Sequence, residues 1–239
     1  MNYIINLLKT LKEIIITYLI EYLIIIISCA IYIQFGKNNI NYFIYTYSPY
    51  ILILTNILII IYLYKKHSKK EIELKNNNYL IYISIGVSIS CLLNMIIFKL
   101  NNNTLSNSTI SPILLFISSG LIGPILEEIL FRYINYNKLK EFNSPKVAII
   151  INSLIFALIH INIEKIFFAL ILGIILNIIY EQKKNIIFPI IIHISANSIA
   201  LLLNKYSPTI LLLSIILLII TIIDYKHQYK SWQIILSII

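Results

Sequence analysis

The chain has 239 residues, of which 59% are hydrophobic and only 12% charged, against roughly 45–50% apolar and 25% charged residues in soluble domains. That much apolar surface cannot be hidden inside a water-soluble fold of this length, so composition excludes a soluble globular protein. The formal charge of +9 does not point to nucleic acid, because the lysines fall in short clusters between apolar runs rather than along one basic stripe or a recognisable motif.

Leu, Ile, Asn, Lys and Tyr dominate the sequence, and all but Leu are favoured by A/T-rich codons. The rare residues (His, Glu, Arg, Pro and Gly) therefore carry most of the information. Runs long enough to cross a hydrocarbon core of roughly 30 Å, which takes about 20 helical residues, stand near 13–34, 42–64, 79–99 and 110–131. The first follows Lys9 and Lys12 and contains Ile26-Ile27-Ser28-Cys29-Ala30, which resembles a lipoprotein cleavage box. Tyr18 and Glu21 interrupt it and it stays apolar through Ile33, so a retained first helix is expected rather than a removed signal. Shorter runs follow near 147–163, 165–180, 186–203 and 208–223, broken by Ser144-Pro145, Asn162, Glu181 to Asn185 and Ser207-Pro208. The expected fold is all-α: one integral membrane domain over 1–239 with about eight transmembrane helices. Residues 110–203 form its core spans.

Lysines in alternate connections test the count. One set holds 14 (Lys9 and Lys12, the cluster from Lys65 to Lys75, Lys138 to Lys146, Lys183 and Lys184, Lys226 and Lys230) and the other 4, namely Lys37, Lys99, Lys165 and Lys205. Cytoplasmic loops carry the excess of positive charge, so both termini are expected in the cytoplasm, with the polar stretch from Lys65 to Asn78 as a solvated loop. The tail from Tyr225 to Ile239, with Trp232 among apolar residues and lysines, reads equally as an interfacial segment or a frayed end. Cys29 and Cys91 lack the spacing of a zinc site or a disulfide framework.

A carboxylate at the centre of an apolar helix costs on the order of 2.5–3.5 kcal/mol on insertion scales. Glu127 and Glu128 both stand in the fourth run. Arg132 lies four residues after Glu128 on the same face, positioned for an ion pair, while Glu127 is turned about 100° away around the helix. One glutamate therefore reads as structural and the other as available. Pro124 removes a backbone donor and is expected to kink the helix near Gly120. In the fifth run, Asn152, Phe156 and His160 share a face at four-residue spacing, and in the seventh His193 and Asn197 do the same. Any lone polar residue of this kind is more often an interhelical contact, and Glu21, Asn94 and Asn177 are read that way. Counted from the cytoplasmic helix ends, Glu127 and His160 lie roughly 20 Å deep, His193 and Asn197 roughly 10–17 Å.

Three elements in order, Glu127-Glu128-Ile-Leu-Phe-Arg132, Phe156-Ala-Leu-Ile-His160 and His193-Ile-Ser-Ala-Asn197, resemble the motifs of the CAAX prenyl endopeptidase and bacteriocin-processing (CPBP, or Abi) intramembrane protease family. The resemblance covers about a third of the chain, between Gly120 and Asn197. It implies a bacterial plasma-membrane endopeptidase in which Glu127 and His160 activate water while His193 and Asn197 stabilise the oxyanion. Glu128 and Arg132 would hold the helix, with Phe156 packed beside the site. A carboxylate in an apolar pocket suits general-base work, and donors aimed at developing charge act strongly where water is scarce. No cofactor is expected. The alternative in which the same residues bind zinc lacks the helical His-Glu-x-x-His signature. A non-catalytic bacteriocin-immunity protein is the other rival, and a transporter is disfavoured by the lack of inverted repeats. The expected partners are the lipid bilayer and a peptide or membrane-associated protein substrate, with no nucleic acid; the oligomeric state is left open.

Overall fold

The computed structural model describes residues 2–36, 39–67, 78–101 and 111–228. Among these residues every regular element is helical, and there are eight helices. They are α1 (Asn2–Gln34), α2 (Ile40–His67), α3 (Tyr79–Asn101), α4 (Pro112–Leu139), α5 (Pro145–Leu158), α6 (Ile163–Lys183), α7 (Ile187–Ala200) and α8 (Pro208–Gln228). Trp232 and most of the Lys65 to Asn78 connection lie outside the described residues, as do Lys37 and Lys230. Six of the eight helices are long and apolar enough to cross a membrane. With large apolar side chains exposed along α1, α2 and α8, such as Leu23, Leu54 and Leu213, the chain is an integral membrane protein of all-α architecture.

Local chemistry sets the helix ends. Ser144 caps α5, its side chain accepting from Val147 N, with Pro145 at the first helical position. Asn162 caps α6 by accepting from the amides of Glu164 and Lys165. Between them Ile161 adopts φ 60°, a left-handed conformation that a β-branched residue enters at a cost. The helix therefore stops at Leu158, and His160 sits in the turn just beyond it rather than within the span expected over 147–163. At the other end of the chain α1 begins at Asn2, ahead of the expected start near 13. The polar residues that mark that start are accommodated: Glu13 is buried and takes Lys66 Nζ at 2.8 Å.

Of the four apolar clusters found among the described residues, two join most of the helices. Tyr82, Leu172, Leu176, Ile192 and Ala196 join α3, α6 and α7, and Tyr225 brings in α8. Ile14, Leu63, Leu130, Phe131, Phe156 and Ala169 join α1, α2, α4, α5 and α6. Gly86 lets α3 and α7 touch backbone to backbone, since a Cβ there would stand 2.3 Å from the Ile192 carbonyl oxygen. Inside the lipid-embedded core, polar side chains must find one another. Asn135 Nδ2 donates to Asn152 Oδ1 at 2.7 Å, Asn152 Nδ2 to Asn177 Oδ1 at 2.8 Å, and Asn177 Nδ2 to Ser153 Oγ at 3.0 Å. This ladder ties α4, α5 and α6 together.

Candidate active site

Helix α4 is not uniformly α-helical. Phe116–Ile122 and Ile129–Tyr136 are π-helical, flanking an α-helical turn, Gly123–Glu128. Pro124 accounts for the first departure. In the widened ladder the amide of Gly123 donates to Ser118 O, so the carbonyl of Ser119 would look to residue 124, where proline has no N–H. Asn197 Nδ2, on α7, takes that carbonyl at 3.0 Å. The discontinuity expected near Gly120 thus falls one residue earlier and takes the form of a π stretch with a cross-helix clasp. Such stretches are frequent at functional sites.

The two glutamates of the α-helical turn face different surroundings. Glu128 is fully buried and its Oε1 accepts from Arg132 Nη1 at 3.0 Å, Arg132 being fully buried as well. Glu127 keeps 24% of its side chain exposed and lines a cavity of about 610 Å³ together with His160, His193 and Asn197. All four residues that the sequence singles out for chemistry therefore meet at one cavity.

Two hydrogen bonds fix the histidine tautomers. His193 Nδ1 lies 2.7 Å from Glu128 Oε1, and its Nε2 lies 3.7 Å from Glu127 Oε2. A carboxylate only accepts, so Nδ1 carries the proton toward Glu128 and Nε2 is the nitrogen turned to Glu127. His160 Nδ1 lies 2.9 Å from the carbonyl oxygen of Phe156, which by the same reasoning leaves Nε2 as its basic nitrogen. Phe156 organises the group: its ring centroid is 5.1 Å from that of His160, 5.8 Å from that of His193 and 4.4 Å from Arg132 Cζ. The contact between His193 and Glu128 is not foreseen by helix-face reasoning, because it depends on the register of α7 against α4.

Glu21 is expected from the sequence to be an interhelical contact. It lines the same cavity from α1, and Asn56 of α2, with its amide nitrogen turned inward, donates to Glu21 Oε1 at 3.0 Å. Its signal was the one used for Glu127, an acid inside an apolar run, but without an adjacent motif. Asn94 also lines the cavity and donates to Ser90 O at 2.8 Å. Among the described residues no three His, Cys, Asp or Glu side chains form a group that could hold one metal ion.

The chain is thus a polytopic helical membrane protein with a buried Glu-Arg pair and a cavity gathering acid, imidazole and amide. Residues 109–199 match the family model for type II CAAX prenyl endopeptidases, Rce1-like. It is 32% identical over 91 residues to a putative membrane peptidase, YdiL, of Bacillus subtilis, covering 38% of this chain and 37% of that one. It is 28% identical over 177 residues to the membrane-embedded CAAX protease MroQ of Staphylococcus aureus, covering 64% and 70% respectively. A UPF0177 protein, YxdF, of Lactococcus lactis is 35% identical over 79 residues, covering 33% and 43%. The match thus spans less than half the length of two of these three relatives. No solved structure matches the chain.

Proposed function

We propose that this protein is an intramembrane endopeptidase that hydrolyses a peptide bond with Glu127 as general base. The observation that carries this reading is the contrast between two neighbouring acids: Glu128 is sealed against Arg132, while Glu127 opens to a cavity it shares with two imidazoles. A water held between Glu127 and His160 would lose its proton to the carboxylate as it attacks the substrate carbonyl, and His160 Nε2 is suited to hold the water or to pass the proton to the leaving amine. The developing oxyanion would be met by the second N–H of Asn197, whose first is spent on Ser119 O. His193, held through Nδ1 by Glu128, would meet it from the same helix. Preorganised donors of this kind contribute about 2.7–4 kcal/mol each in other hydrolases.

Both termini are cytoplasmic in this reading, on the lysine distribution, in a bacterial plasma membrane. The substrate is a membrane-associated peptide or protein, a peptide precursor in preference to a prenylated protein. Glu127→Gln should abolish cleavage of a fluorogenic peptide by the purified protein while leaving its yield and thermal stability in detergent unchanged. Cleavage surviving that change would overturn the assignment. Activity should persist after exhaustive chelation, whereas loss restored only by zinc would replace the metal-free mechanism. If expression of the chain protects cells against a bacteriocin and Glu127→Gln still protects, the immunity reading gains.

A further inference from the structure

We infer that Glu21 of α1 is a recognition group of the site: its carboxylate receives a positively charged side chain of the substrate, a lysine or arginine beside the scissile bond. The inference rests on the peptidase reading for the nature of the occupant, and on the cavity alone for its charge. Glu21 lies on the cavity wall with Glu127, and the two carboxylates are near enough to act on one another electrostatically. Tyr18, three residues earlier on the same face of α1, is also within that reach of Glu127. Glu21 follows Glu13 by two helical turns, about 12 Å further along α1 than the Glu13–Lys66 pair at the lysine-rich end of the bundle. An acid at that depth is unfavourable unless a partner compensates it.

Other acids within the bundle have such a partner. Glu13 takes Lys66, Glu128 takes Arg132, and Glu181 takes Lys140 and Lys184. Among the described residues Glu21 forms no ion pair, and its hydrogen bond is to a neutral group: Asn56 of α2 donates to Oε1 at 3.0 Å and, through the same nitrogen, to Leu52 O at 3.2 Å. Both N–H groups of Asn56 are thereby used, so the amide fixes the position of the carboxylate and leaves its charge uncompensated. The acids on the cavity wall are Glu21, Glu127 and Glu164, against a single lysine, Lys165, which is exposed at the start of α6. An excess of negative charge between low-dielectric walls attracts cations. Pro49 and Leu52, on the stretch of α2 that carries Asn56, line the same cavity. They offer apolar surface to the aliphatic stem of a lysine or arginine whose charged head meets the carboxylate. Glu21 and Asn56 both lie outside residues 109–199, the segment that matches the family model.

Sets of fluorogenic peptides test the charge of the occupant. Members of a set share one apolar sequence and differ only in carrying Lys, norleucine or Glu at a single position, which is moved in turn along the peptide. With the purified full chain in an uncharged detergent, kcat/KM at one position should be about 10-fold higher for Lys than for norleucine, as one charge-assisted hydrogen bond allows, and lowest for Glu. Glu21→Gln should erase the difference between Lys and norleucine, and Glu21→Lys should invert the order so that the Glu peptide is cleaved fastest. A merely structural role would lower all members of a set together and cannot invert their order. The inference is overturned if the parent shows no order at any position or if the order survives Glu21→Gln. It is overturned too if a Glu21→Gln protein that stays folded by circular dichroism loses all peptides equally, which would make Glu21 a partner of Glu127 in handling the proton. If nothing is cleaved, fluorescence anisotropy of the same labelled peptides gives the comparison. Binding strongest for Lys and levelled by Glu21→Gln would sink the peptidase reading and keep the cation site, whereas binding without order would sink both.

Discussion

Glu127 and Glu128 share a backbone, a depth and a chemistry, yet one is sealed and the other is not. A turn of about 100° between successive helical residues is enough to send one toward Arg132 and the other into the cavity, and this much was legible in the sequence. The other partner of Glu128 was not. His193 reaches Glu128 from α7 at 2.7 Å, a contact set by how two helices slide past each other. Spacing within one helix cannot encode that. The sealed pair should behave differently from the open acid under substitution. Removing one partner of a buried ion pair typically costs about 3–5 kcal/mol, because the other charge is left without compensation. Glu128→Gln should therefore lower the thermal unfolding midpoint in detergent sharply, and a second change, Arg132→Met, should restore part of the loss. A Glu128→Gln protein as stable as the parent would show that the pair does not hold α4.

At the scale of the element, the position of each helix followed from apolar runs and breaks, but its internal geometry did not. The π stretch Phe116–Ile122 arises because a proline at 124 fails to serve a carbonyl that Asn197 then serves instead. Local sequence announces the missing donor but not the side chain that replaces it. Pro124→Ala gives the backbone back an N–H that competes for Ser119 O and releases Asn197. Thermal stability should be held or raised, since proline inside a helix is unfavourable by about 3 kcal/mol. Peptide cleavage should fall about 10–100-fold, because small displacements of a catalytic donor are costly. Stability and activity falling together would mean that the proline acts through packing alone. Gly86 is the contrasting case, a residue whose role is purely steric. A Cβ there would lie 2.0 Å from Ser195 Oγ and 2.3 Å from Ile192 O, and backbone on α7 cannot yield cheaply. Gly86→Ala should destabilise the protein by about 1–3 kcal/mol in a detergent unfolding assay, and should move α7 and its two site residues with it.

Across the whole molecule, the alternation of lysine-rich and lysine-poor connections separates eight runs without a structure, and eight helices are present among the described residues. The cavity was beyond that reading, because a recess depends on which helices are short and where they stop. Hydropathy blurs those ends: the runs read as 147–163 and 186–203 fold as Pro145–Leu158 and Ile187–Ala200. The wall supplied by α1 was likewise invisible, since Glu21 looked like any interhelical contact until α1 was seen to border the site. This mixture of helix lengths has a consequence for the bilayer. Helices α3, α6 and α8, at 23, 21 and 21 residues, span about 32–35 Å and suit a hydrocarbon core of roughly 30 Å with modest tilt. The short helices reach only about two thirds of that depth. Their position is then fixed by the long ones through the Asn135, Asn152 and Asn177 ladder and the Gly86 contact. In a thinner bilayer the long helices must tilt, at a cost of fractions of a kcal/mol per Å of mismatch. That tilt would shear α5 and α7 against α4, where the candidate acid and its imidazole stand 3.7 Å apart. Cleavage by protein reconstituted in phosphatidylcholines of increasing acyl length should peak near 18-carbon chains and fall in 14-carbon ones, while the protein stays folded by circular dichroism. A flat profile would mean that the site is insulated from the thickness of its membrane.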